Sequence, residues 1–167
     1  SYICGWIIPK KLLNRTKKWN INFHPGPPNY PGTGCFNFAI YDNAREYGAT
    51  AHIMNSAVDT GKIIAVKEFT VNDNETVDSL SRITYEALFN LFKGVVDYII
   101  KNDSLPNTDK IWLRKPFKRS DLEALSELNF KMSEDEVLKR IRSTYYKGKP
   151  APYFTFMGLK FEYNPDR

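Results

Sequence analysis

The pentapeptide Ile21-Asn22-Phe23-His24-Pro25 limits what this chain can build. Its alternation reads as a short strand, with Asn22 and His24 on one face and Ile21 and Phe23 turned into a core. Pro25 has no N–H for a ladder and ends the strand, so His24 falls at its carboxyl end. In open α/β sheets ligands bind beyond that end. Further along, Val58-Asp59-Thr60-Gly61 adds a carboxylate. An amide, an imidazole and a carboxylate are then available to one acyl-transfer site.

Pro25 to Gly34 is too rich in proline and glycine for regular structure, and long ordered loops of this kind often serve function. Around it, Tyr2 to Ile8 reads as a buried apolar strand closed by Pro9. Lys10 to Lys17 reads as a brief helix with Leu12 and Leu13 on one side. Cys35 to Asn43 has helical spacing, while Ala49 to Met54 and Lys62 to Val71 are strands. From Thr76 to Lys101 the apolar positions Val77, Leu80, Ile83, Leu88, Leu91, Val95, Tyr98 and Ile99 form the core stripe of a long amphipathic helix. Ser120-Asp121-Leu122-Glu123 and Ser133-Glu134-Asp135-Glu136 predict two helix starts with capping boxes. Pro152 to Tyr163 predicts two strands about a turn at Met157-Gly158.

These elements divide into an α/β unit over residues 1–106 and a smaller α+β extension over 107–167. No apolar run approaches the roughly 18 residues of a membrane-spanning helix, and no signal-peptide pattern opens the chain. Cys4 and Cys35 lack CxxC spacing and nearby histidines, which argues against zinc and against a disulfide framework and fits a reducing cytoplasm. Cys4 is expected to be a buried apolar residue. The net charge of +5 gathers at residues 10–18, 114–119 and 139–149. Each cluster reads either as a solvated face or as a phosphate-binding patch.

When a nucleophile attacks an acyl carbon, negative charge grows on the carbonyl oxygen, and donors fixed toward it are the main catalytic contribution. Asn22 and a protonated His24 supply two such donors. A carboxylate beside His24 orients the ring and raises its pKa. The proton lost by the nucleophile and gained by the leaving group needs a relay through His24, Asp59 or water. Each residue also has a bland reading: a hydrogen-bonded histidine at a strand end, and an aspartate capping a turn. His52 is open between packing and a supporting polar role.

In this order and spacing, the stretch from Ile21 to Pro25, the proline-rich loop to Gly32, Gly48-Ala49-Thr50-Ala51-His52-Ile53-Met54 and Val58 to Gly61 resemble the folate-dependent formyltransferases. That family includes the methionyl-tRNA, glycinamide ribonucleotide and amino-sugar enzymes. The likeness covers residues 2–71 and the long helix in general character. It implies a Rossmann-like fold and transfer of a formyl group from 10-formyltetrahydrofolate to a primary amine through a tetrahedral intermediate, with no metal. The catalytic residues it implies are Asn22, His24 and Asp59. Folate is then held largely by main-chain contacts, from a segment like Trp6, Ile7 and Ile8 and a loop like Asn55, Ser56, Ala57 and Val58.

Two departures bear on substrate and fold. Gly26-Pro27-Pro28 and Pro31 replace the family's usual loop sequence and remove an arginine associated with the tRNA enzymes, favouring a small acceptor such as a nucleotide-linked amino sugar. Methionyl-tRNA formylation, hydrolysis of the formyl donor and a non-catalytic folate-binding fragment are the alternatives. Family members also carry strand–helix units ahead of the Tyr2–Ile8 strand. This sequence lacks them, so it reads as the later part of a formyltransferase domain, its open sheet edge covered by a preceding segment or a homodimer partner.

Overall fold

The computed structural model describes residues 1–165; residues 166–167, assigned above to the extension, lie outside the described residues. Three strands, β1 (Ile21–His24), β2 (Glu46–Ile53) and β3 (Ile63–Thr70), form an antiparallel sheet in the order β1-β2-β3. Asn22 lies opposite His52, and His24 opposite Thr50. Alternation therefore sends Asn22, His24, Thr50 and His52 to one face and Phe23, Ala49 and Ala51 to the other. A register shift between Ala51 and His52 leaves Ile64 as an extra residue on β3, a bulge of the kind that re-aims side chains near sites.

The second face is covered by α3 (Val77–Asn102), whose Leu88, Leu91 and Val95 pack on Phe23, Ala49, Ala51 and Ile64. Its start is specified locally: Ser79 N–H donates to Thr76 Oγ1 at 3.2 Å and Thr76 N–H to Ser79 Oγ at 2.9 Å. The buried phase of the helix runs through Leu80, Thr84, Leu88, Leu91 and Val95. Ile83 and Tyr98, expected in the core stripe, lie on its flank and are exposed.

A second core joins Phe38, Ala39 and Ile40 of α2 (Cys35–Tyr41) to Tyr30, Tyr47, Leu80 and Leu125. Leu125 comes from α4 (Arg119–Ser126), and α5 (Glu134–Thr144) lies against α2. Arginines from the last basic cluster hold these pieces in place. Arg140 donates to Glu136 and to the carbonyls of Ala124, Leu125 and Glu127, while Arg142 donates to the carbonyls of Asp73 and Glu75. Strands β4 (Glu127–Leu128), β5 (Tyr153–Phe156) and β6 (Leu159–Glu162) make a small second sheet, with β4 and β5 parallel and β5 and β6 a hairpin. Met157 and Gly158 both have positive φ, 50° and 78°, as a two-residue hairpin turn requires.

Four expectations need correction. Tyr2 to Ile8 is not a buried strand: its one ladder contact is a parallel bridge from Tyr2 to Phe23, and Trp6 and Ile7 are 60% and 66% exposed. Cys4 lies in that uncovered segment and is exposed too. The brief helix α1 spans Lys10–Leu13 only, burying Leu13 but not Leu12. Ser120 does not cap α4, because the start lies earlier and Asp121 Oδ2 accepts from Lys118 N–H at 2.7 Å. Among the described residues no helix is long and apolar enough to cross a membrane.

Candidate functional site

The first face of the sheet carries a chain of polar groups, of which His24, His52 and Asp59 are almost fully buried and Asn22 half-buried. Asp59 sits at its centre. Its Oδ2 accepts from Gly32 N–H at 2.8 Å and lies 3.2 Å from His24 Nδ1. Its Oδ1 lies 3.1 Å from His52 Nε2 and 3.5 Å from Asn22 Nδ2. His24 and Asp59 side chains are only 5% and 6% exposed.

Local sequence explains how the carboxylate reaches this position. Asn55 Oδ1 accepts from Ala57 N–H and from the Thr60 hydroxyl, both at 2.9 Å, and folds residues 55–60 into a tight loop. Asp59 itself takes the left-handed conformation, φ 45°, which aspartate tolerates better than most residues. Gly61 then passes so close to β2 that an added Cβ would lie 1.7 Å from the Ile53 carbonyl oxygen. On the other side of the site Gly26 leaves room for the His24 ring, since a Cβ there would lie 2.5 Å from Nε2.

Hydrogen bonding constrains the charges. His24 Nδ1 faces the Asp59 carboxylate and Nε2 lies 2.9 Å from the Tyr30 carbonyl. Both partners are acceptors, so both contacts are satisfied together only by the imidazolium. Burial opposes that charge and holds the His24 pKa below its ordinary value, against the Asp59 carboxylate and the Tyr30 carbonyl, which raise it; His52 lowers it further. For Asp59, burial acts to raise the pKa, but the His52 hydrogen bond, the His24 charge and the Gly32 N–H outweigh it. Its pKa is lowered and the carboxylate stays ionised. The charged form of His24 is thus favoured by both of its hydrogen-bond partners and opposed more strongly by burial, beside a fixed negative charge.

His52 is part of the same array. Its Nδ1 lies 2.9 Å from the Ile53 carbonyl, so Nδ1–H donates there, and Nε2 meets both Asp59 and Asn22 Nδ2, the latter at 3.2 Å. Trp112 abuts both imidazoles edge-to-face, at centroid separations of 6.0 Å from His24 and 5.2 Å from His52. Its indole N–H donates to the Gly61 carbonyl at 2.8 Å. No sequence signal marks Trp112, which stands more than 50 residues beyond Asp59. For His52, the cross-strand pairing with Asn22 would have been the signal, but it needs the register.

The array opens on a cleft of about 530 Å³, within the usual range for small-molecule sites. Asn22, His24, His52 and Asp59 line its floor. Trp6, Ile7 and Ile8 line one wall, and Asn55, Ser56, Ala57 and Val58 another. Arg119 from α4 also lines it. The structure thus brings all the sequence-predicted residues to one cleft, the polar trio at its base and both loop segments beside it.

The fold and cleft define an α/β domain with an Asn–His–Asp cluster at the carboxyl end of β1, an outer strand of the three-stranded sheet. Residues 2–95 match the formyl transferase family model, and the chain belongs to that family. The methionyl-tRNA formyltransferase of Thermodesulfovibrio yellowstonii is 26% identical over 150 residues, 84% of this chain and 46% of that protein. The chain spans about half the length of the curated relatives it matches. A sugar N-formyltransferase from a Shewanella species superposes with a TM-score of 0.81 at 22% identity, over 97% of this chain and 66% of that one. The N-formyltransferase of Helicobacter canadensis, solved with folinic acid and dTDP-3-aminofucose, is 26% identical with a TM-score of 0.70, over 92% and 56% of the two chains.

Proposed function

We propose that the chain transfers a formyl group from 10-formyltetrahydrofolate to the primary amine of a nucleotide-linked amino sugar. The observation that carries this reading is the convergence of Asn22, His24 and Asp59 within hydrogen-bonding reach at the base of one cleft. The cleft suits a flat donor: Trp6, Ile7 and Val58 present exposed apolar surface on its walls. Bound there, the folate supplies the activated formyl carbon. Residues 1–106 carry this site in our reading, and the extension from residue 107 adds Trp112 and Arg119 to it.

Asn22 Nδ2 and His24 act as donors toward the formyl oxygen as it gains charge, a role in which one lost donor costs about 3–4 kcal/mol. His24 Nε2 faces the Tyr30 carbonyl in the present arrangement, so it exchanges that acceptor for the substrate oxygen. Asp59 supports the imidazolium, and the proton lost by the attacking amine passes through His24, Asp59 or a bridging water to the folate nitrogen, whose bond to the formyl carbon breaks as the tetrahedral intermediate collapses. His52 and the Gly32 N–H fix the orientation of the carboxylate.

A sugar acceptor is favoured by Pro31 where the tRNA enzymes carry a loop arginine, and by a compact extension of three short strands and two helices. The relative solved with dTDP-3-aminofucose supports it. Methionyl-tRNA formylation is the second reading, favoured by the named sequence relatives. Binding measured against salt separates the two. A tRNA substrate would give affinity falling steeply with ionic strength, whereas a nucleotide-linked sugar predicts a shallow dependence and no binding of tRNA.

A further inference from the structure

Residues 110–117 of the extension run as a strap over the two loops that build the site. Alternation turns Trp112 inward, half-buried, while Ile111 and Leu113 on either side are 69% and 63% exposed. Leu113 N–H donates to the Pro28 carbonyl at 3.1 Å. Phe117 N–H donates to the Pro31 carbonyl and Thr33 N–H to the Phe117 carbonyl, both at 2.9 Å. The strap is fastened at each end. Lys110 pairs with Glu68 of β3 at 2.8 Å, and Phe117 lies between the Phe38 ring at 3.6 Å and the Arg114 guanidinium at 4.1 Å.

These stitches reach Asp59 from two directions. The peptide joining Pro31 to Gly32 is trans and planar, so its carbonyl and its N–H point opposite ways. Phe117 holds the carbonyl, and the N–H is thereby aimed at Asp59 Oδ2, to which it donates at 2.8 Å. The fit is too close for a side chain: a Cβ on Gly32, whose φ is 88°, would lie 2.3 Å from the Phe117 carbonyl oxygen. From the other direction the Trp112 indole N–H donates to the Gly61 carbonyl, two residues beyond Asp59. Asp59 has a φ of 45°, a conformation that persists in a non-glycine residue only where its surroundings impose it. Trp112 acts from behind the site: among the described residues it is not one of those that line the cleft.

We propose that Trp112 is a positioning residue for formyl transfer, its indole N–H holding Gly61 so that the strap, the proline-rich loop and the 55–60 loop close on one another and fix the Asp59 carboxylate against His24. The kinetic consequence rests on the reaction assigned above; the clamp itself is measurable without substrate.

Two substitutions separate the donor from the bulk. Trp112→Phe keeps a six-membered ring beside the two histidines and loses the N–H. Trp112→His loses that bulk, but its five-membered ring superposes on that of indole and puts Nε2–H where the indole N–H was. The readout is amide hydrogen exchange on the full chain at Gly32, whose N–H is held by Asp59. Leu88 and Leu91 in the core of α3 report overall stability alongside it. Trp112→Phe is expected to speed exchange at Gly32 about tenfold beyond any change at Leu88 and Leu91, the loosening that one lost hydrogen bond gives. Trp112→His is expected to keep Gly32 in step with them. With 10-formyltetrahydrofolate and the amino sugar that wild type formylates, kcat should fall about ten- to a hundredfold in Trp112→Phe and less in Trp112→His, with KM for the sugar unchanged. A packing role predicts the reverse order. Gly32 exchange that moves only in step with Leu88 and Leu91 in Trp112→Phe, or that outruns them in Trp112→His, overturns the proposal, and either variant decides alone if the other does not fold. A wild type that formylates no sugar overturns the assigned reaction and leaves the exchange measurement to decide the clamp.

Discussion

Replacing Asp59 by Asn removes a charge from the buried array while keeping its shape, and the consequences can be worked out contact by contact. The retained oxygen still accepts from Gly32 N–H and still faces His24 Nδ1, now 2.8 and 3.2 Å from an amide carbonyl and not a carboxylate. The new amide nitrogen faces His52 Nε2. There the amide N–H donates to Nε2 while Nδ1–H stays on the Ile53 carbonyl, reversing the direction of the wild-type contact, in which Nε2–H donates to the carboxylate. Three charge-assisted bonds each lose about 1 kcal/mol. Against this, the variant no longer buries a carboxylate, a cost of several kcal/mol that is relieved. The two nearly cancel, so stability should change by less than about 2 kcal/mol. The electrostatic effect does not cancel. His24 loses the chief group holding its proton in place, and its pKa should fall further below the ordinary value. Turnover should fall by about 10²–10⁴, the range for a lost acid–base partner. The chain has just two histidines, so imidazole ¹⁵N spectra collected against pH resolve both rings directly. A His24 titration that stays put or moves upward in the folded variant would refute this account of the Asp59–His24 pair.

Other perturbations test the same array from different sides. Trp112→Ala should shift the His24 titration upward, opposite to Asp59→Asn, because burial is the leading cause of its lowered pKa; the same spectra report it. It should also cost roughly 1–3 kcal/mol in a denaturant melt, short of the loss for a fully buried tryptophan. Gly26→Ala places a methyl 2.5 Å from His24 Nε2 and 2.9 Å from the Tyr30 carbonyl oxygen. It should break that contact at a cost of about 1–3 kcal/mol, seen as a changed Nε2 shift and lower turnover. For pH, the folded chain binds the His24 proton less tightly than the unfolded chain does, whose value is near 6.5. Stability should therefore be fully present above that value and decline as pH falls, by at most about 1.4 kcal/mol per pH unit for one proton. Asp59 adds a further loss only below about 3.8, its unperturbed value. Denaturation curves from neutral pH down to about pH 5 should show a decline that His24→Gln removes.

Much of this was legible where local chemistry decides structure. β1 follows from alternation stopped by Pro25, and α3 from its apolar spacing. The 157–158 turn follows from a glycine where positive φ is needed. What the sequence could not supply is long-range register. The pairing of Asn22 with His52 turns an uncommitted histidine into a partner of Asp59, and nothing near position 52 encodes it. Trp112 and the Gly32 N–H reach the site for the same reason, from segments whose placement depends on the whole fold. Apolar character was a poor guide in Tyr2 to Ile8, because hydrophobicity says a residue can be buried, not that a layer covers it. There the side chains line a cleft wall instead. β4, two residues long, is defined only by its partner β5.

The most direct measurement is to mix the chain with 10-formyltetrahydrofolate and a panel of nucleotide-linked amino sugars, quench, and weigh the acceptors by mass spectrometry. The account predicts one N-formylated sugar with wild type and a severe loss with Asp59→Asn, while calorimetry shows folate still bound by both. Bound folate with only free formate released, or formylation undiminished in the variant, would contradict it.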